Sequence, residues 1–133
     1  MKIRKDFVTN SSSSSFIIAK HKDLTIDEIE TALNNIRGNI EDLLHALEGE
    51  FDCAFIDAMD IKDAYDDGDL DKAINLAIKE IACCLNLSDP RDLVLGDWTV
   101  CGEYASNEDG ELFRCALYDF GRLIQTEHLK LTD

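Results

Sequence analysis

Proline occurs once in these 133 residues, at Pro90. Disordered and polyproline-type chains are rich in proline, and with 45% hydrophobic residues this chain reads as folded instead. Long apolar runs are missing as well. None approaches the roughly 20 residues that a membrane-spanning helix needs. The basic N-terminus has its apolar stretch interrupted by Asn10 and a run of serines, so no secretory signal is visible. The Asn10-Ser11-Ser12 sequon is idle without such a route. Cysteine is present five times, an odd number, and Cys83 and Cys84 are adjacent. That pattern excludes a disulfide framework and predicts free thiols in a reducing cytoplasm.

Chemical motifs are equally scarce. No C-x-x-C occurs, and His21, His45 and His128 are isolated from one another along the chain. There is no G-x-S-x-G elbow and no glycine-rich phosphate loop ending in Lys-Ser/Thr. The acidic stretch from Asp63 to Asp71 invites an EF-hand reading. With Gly68 as the invariant glycine, however, Tyr65 takes the third position and Ile74 the twelfth, where oxygen ligands are required. A helix end, a turn and an N-cap account for the same residues. The sequence therefore predicts no metal, no cofactor and no catalytic residue.

Positive charge is the last scarcity: 13 Lys and Arg stand against 28 Asp and Glu, a net of −15. The imbalance is uneven. The first 22 residues carry a net of +4, and residues 41 to 71 hold twelve acids against Lys62 alone. A field this negative repels nucleic acid and anionic membrane and attracts basic surfaces.

What is present is periodicity. Phe16 to Ala19 is short, apolar and β-branched, and predicts a buried strand. Thr25 followed three residues later by Glu28 forms a capping-box pattern, in which hydroxyl and carboxylate both satisfy orphan backbone donors. Ile26, Ile29, Leu33 and Ile36 follow at helical spacing, with Gly38 as the stop. A second helix fits residues 39 to 48. In residues 51 to 66 a 3.6-residue period gathers Phe51, Ala54, Phe55, Ala58, Ile61 and Tyr65 on one side. Asp52, Asp57, Asp60, Asp63 and Asp66 gather on the other, with Ile56 and Met59 among them. Asp67-Gly68 breaks this helix, and Asp69 caps a long one reaching about Asn86.

Beyond Pro90 the period falls to two. Leu93–Leu95 and Trp98–Cys101 predict strands around Gly96, residues 107 to 110 a hairpin turn, and 111–119 and 122–131 two further strands around Gly121. The expected fold is α+β: an N-terminal strand, about four helices, then an antiparallel β-meander, with the helices on one sheet face. A basic, serine-rich arm over residues 1–15 precedes a single acidic domain over 16–133.

The arm itself is distinctive. Ile3-Arg4-Lys5, then Phe7-Val8-Thr9-Asn10, the serines Ser11, Ser12, Ser13, Ser14 and Ser15, and Phe16-Ile17-Ile18 follow in order. This stretch resembles a leader on otherwise dissimilar, uncharacterised small proteins of bacteria and their phages. The resemblance covers about the first 18 residues and implies origin, not activity. Serine hydroxyls bond locally to backbone, so a polar loop joining an edge strand at residues 2–8 to the strand at Phe16 is one use of the tract. A modification or processing site, or a tail that engages a partner, are the others.

Three functional classes follow. The first is a non-catalytic acidic protein docking on a basic protein through Asp52, Ile56, Asp57, Met59, Asp60 and Asp63. Inhibitors, phage anti-defence proteins and immunity proteins work by presenting carboxylates in this way. The second is a structural or regulatory protein recognised through its arm, and the third an enzyme whose site is assembled from scattered acids.

Overall fold

The first apolar run after the serines forms strand β1 (Ile17–His21), and its alternation decides what each side chain meets. Ile18 and Lys20 point inward and are buried, while Ile17 on the other face is exposed. The computed structural model describes residues 17–47, 58–102, 117 and 120–132. The expected edge strand at 2–8, the serines, residues 51–57, the turn at 107–110 and residues 111–116 lie outside that set.

Among the described residues, four helices follow β1 and precede the next strand: α1 (Ile26–Asn34), α2 (Arg37–Leu47), α3 (Ala58–Asp66) and α4 (Leu70–Leu85). Thr25 caps α1, its hydroxyl accepting from the Glu28 N–H at 3.2 Å. Ile29, Ala32 and Leu33 are buried along α1, whereas Ile26 is exposed. Asn35, not Gly38, closes the helix. Gly38 instead lies in the first turn of α2, so the chain re-enters a helix within two residues. Arg37 holds that junction against α4, donating to Asp71 at 2.6 Å and to Asn75 at 2.7 Å.

The turn between α3 and α4 has a clear local cause. Gly68 adopts φ +84°, a left-handed conformation that costs a Cβ-bearing residue energy. Asp69 then caps α4, accepting from the Lys72 N–H at 3.2 Å. Helix α4 is the hub of the helical layer, since α1, α2 and α3 all pack on it. Its face of Ala73, Ile74, Ala77, Ile78, Ile81, Ala82 and Leu85 is buried.

Strands β2 (Leu93–Leu95) and β3 (Trp98–Cys101) form a hairpin around Gly96, which has φ +66°, and β4 (Leu129–Thr132) is the last strand. All pairings are antiparallel, in the order β2-β3-β1-β4, so the N-terminal strand enters between the C-terminal ones. The fold class is α+β. Strand β4 is shorter than the sequence predicts: residues 121–128 form turns, bends and irregular chain, and Leu117 and Phe120, expected in a strand or beside its end, are helical. Phe120 is fully buried and plugs the core just past residues whose pattern predicts a strand. Ile18, Cys101, Leu129 and Leu131 on the inner sheet face join the helical side chains in one cluster. Buried Lys20 donates its ammonium to the Leu87 carbonyl just past α4, where helix carbonyls carry partial negative charge. Among the described residues, no helix is long and apolar enough to cross a membrane.

Candidate functional site

Two places concentrate polar side chains. The first is the junction of α3 and α4, where the sequence places its acidic face. Of the six residues expected there, Asp52, Ile56 and Asp57 lie outside the described residues, while Met59, Asp60 and Asp63 are on α3 and exposed. Ile61 and Ala64, on the opposite side, are buried. Tyr65 is half-buried, its hydroxyl 2.8 Å from His45 Nδ1. Asp60 and Asp63 share a groove of about 600 Å³ with Asp67, Asp69 and Lys72, over Ala64 and Leu76. Lys62 pairs with Asp66 at 2.9 Å, away from the groove lining. Among the described residues no cation pairs with Asp60, Asp63 or Asp67. The groove thus offers an apolar floor and carboxylates with no ion-pair partner among the described residues, which suits the long stem and charged head of a lysine or arginine. Asp69 and Gly68 act as cap and turn, as expected from the sequence.

The second place was not legible from sequence spacing. Strand pairing sets Lys20 opposite Leu129, and the register carried one residue further sets His21 opposite His128. The His21 N–H donates to the His128 carbonyl at 2.9 Å, and the two imidazole centroids are 5.0 Å apart. Isolation along the chain is therefore not isolation in space for these two histidines; His45 stays apart, beside Tyr65 and Glu41. On the other flank of His21, Trp98 stands edge-on at 5.1 Å, from the facing position in β3. The turn after β1 returns Asp23, whose N–H donates to His21 Nδ1 at 3.1 Å and whose carboxylate lies 3.6 Å from it.

Glu28 completes this cluster. The second half of the expected capping box does not form, because the carboxylate turns to a loop a hundred residues away. It accepts from the Thr126 hydroxyl, from the His128 N–H at 3.2 Å, and stands 2.7 Å from His128 Nδ1. Three bonds to one loop outweigh one bond back to Thr25. Burial pushes the Glu28 carboxyl up, but the hydrogen bonds from His128 and Thr126 prevail and hold it below its ordinary value. The same bond to Glu28 raises His128, against a smaller opposing effect of burial and with help from the Glu28 charge. A carboxylate fixing one imidazole nitrogen, with the other left for chemistry, is an arrangement that serves proton transfer or metal binding alike.

The chain matches no family model, no curated protein and no solved structure.

Proposed function

We propose that the protein is a non-catalytic acidic binding protein of bacterial or phage origin, working in the cytoplasm as an inhibitor or immunity protein. It docks on a basic protein surface through α3 and the groove beside it, and engages neither nucleic acid nor membrane. The observation that carries this reading is Met59, which is 63% exposed on α3 beside Asp60 and Asp63, two of the carboxylates that line the groove. An apolar side chain among carboxylates is poorly used if the acids serve solubility alone. It is well used if charge speeds encounter and an apolar anchor slows release. Asp52, Ile56 and Asp57 extend the same face in the sequence pattern.

The test begins with affinity capture from a bacterial lysate and continues with the purified partner. Replacing Asp60, Asp63 and Asp67 together by asparagine is expected to slow association with a basic partner. The loss is expected to be larger at about 0.05 M than at about 0.5 M salt, where screening already weakens such contacts. Met59→Ala is expected to speed dissociation instead. Binding that survives the triple change at low salt, or that vanishes when residues 1–15 are deleted, overturns the reading.

A further inference from the structure

From the juxtaposition of His21, Asp23 and His128 at the β1–β4 end of the sheet, we infer a binding site for a divalent transition-metal ion of the zinc, cobalt and nickel class. It is separate from the acidic groove and does not depend on it.

One ligand atom from each of the three residues lies within 4.8 Å of the others. These residues come from three short stretches of chain that the fold locks together: the end of β1, the turn after it, and the residue preceding β4. Backbone bonds fix the spacing. His21 donates to His128, Leu24 donates to the His21 carbonyl at 3.0 Å, and Thr126 donates to the Leu129 carbonyl at 2.9 Å. Little ordering is left for an ion to impose, which removes much of the cost of assembling a site.

The chemistry of the donor atoms narrows the ion. Nδ1 of His21 accepts a hydrogen bond from the Asp23 N–H, so it carries a lone pair and no proton. It lies 3.6 Å from Asp23 Oδ2, a separation that two ligands of one ion could adopt with a small shift. Binding there exchanges the Asp23 N–H bond for a coordinate bond. Asp23 is exposed, and water can take up the freed N–H. For His128 the roles divide differently: Nδ1 is committed to Glu28, which leaves Nε2 as the nitrogen with which the proposed site would engage an ion. Metal-bound histidines are commonly held this way, by a carboxylate on the other ring nitrogen, and here that carboxylate is itself held by Thr126. Two imidazoles and one carboxylate favour zinc, cobalt or nickel. Calcium and magnesium seek oxygen ligands only, and thiolate-seeking ions find no sulfur among the three. Three protein ligands leave the remaining positions to water, so the ion would exchange and stay accessible.

The experiment uses the full chain with its thiols kept reduced, and zinc or cobalt alone as the probe. Calorimetric titration with zinc is expected to give one ion per chain, and zinc is expected to shift the ring resonances of His21 and His128 but not those of His45. Cobalt is expected to give a visible ligand-field spectrum without the thiolate charge-transfer band that coordination by Cys83 would produce. His21→Ala and His128→Ala are each expected to abolish the stoichiometric site, and His45→Ala to leave it intact. Glu28→Gln is expected to weaken binding about 10- to 100-fold, as loss of an orienting carboxylate does. Should His128→Ala fail to fold, His21→Gln and Glu28→Gln carry the test, with circular dichroism confirming the fold. Zinc binding that is unaffected by His21→Gln, a thiolate band with cobalt, or no stoichiometric binding at all would overturn the proposal. In any of those cases the cluster is a structural clamp between α1 and the loop before β4.

Discussion

Asp89 shows how much one neighbour can do for a surface carboxylate. Arg91 donates to it from Nε at 2.9 Å, from Nη2 at 2.8 Å and from its backbone N–H at 2.8 Å. The side-chain bonds first, and the backbone bond second, pull Asp89 from 3.8 down to about 2. A depressed carboxylate contributes its bonds fully above the ordinary value, and that contribution is lost as pH falls through about 2. A carbon-detected NMR titration is expected to find Asp89 titrating near that value, and Arg91→Ala to return it toward the ordinary one. An ordinary midpoint in the wild type would mean that the loop does not hold this pair in solution. Glu28 belongs to the same scale, but its reach is longer. One side chain that the capping-box pattern assigns to a helix end instead ties α1 to residues 126–128.

Among the elements, the junction from α3 to α4 is the most sharply specified. Nothing lies within 4 Å of a Cβ added at Gly68, so Gly68→Ala meets no steric clash and feels only the backbone conformation. It is expected to cost about 1–2 kcal/mol in urea unfolding. Gly38 is also unobstructed but sits in a helical turn, so Gly38→Ala is expected to gain roughly 0.5 kcal/mol. Opposite signs at two equally open glycines would separate conformation from packing; equal signs would contradict that account. The contrast also explains what was legible in the sequence. Gly68 and Asp69 announce a break and a cap because their effects are local, and α4 ends at Leu85 with Asn86 as its cap, close to where its apolar spacing stops. Gly38 does not stop α1, because a stop and a start fall within three residues and Asn35 does the closing. The segment from Arg122 has apolar residues at intervals that fit a strand, yet buried Phe120 and Ile124 fold it into turns against the core. Only tertiary packing decides between those two outcomes. The His21–His128 pairing was out of reach for the same reason, since it depends on a strand register that appears once β1 and β4 are side by side.

For the molecule as a whole, thiol chemistry offers a direct check on how the layers are closed. Cys83 is exposed on α4, Cys84 half-buried and Cys101 buried in β3. Alkylation under native conditions is expected to modify Cys83 early and Cys101 late. In denaturant without reductant, five labels are expected on each chain, one for every cysteine in the sequence. Three or fewer would reveal a disulfide and contradict the expectation of a reducing compartment. The strand order has a further consequence, one of timing. During synthesis β1 leaves the ribosome long before its neighbours β3 and β4, which begin only at Trp98 and Leu129. At translation rates of about 5–20 residues per second, β1 waits several seconds with both edges unpaired. The helices between them make mostly local contacts and can assemble in that interval. Their apolar faces then shelter Ile18 until the hairpin and the last strand arrive on either side. Elongation speed between β1 and its partners thus sets how long an apolar strand waits unpaired.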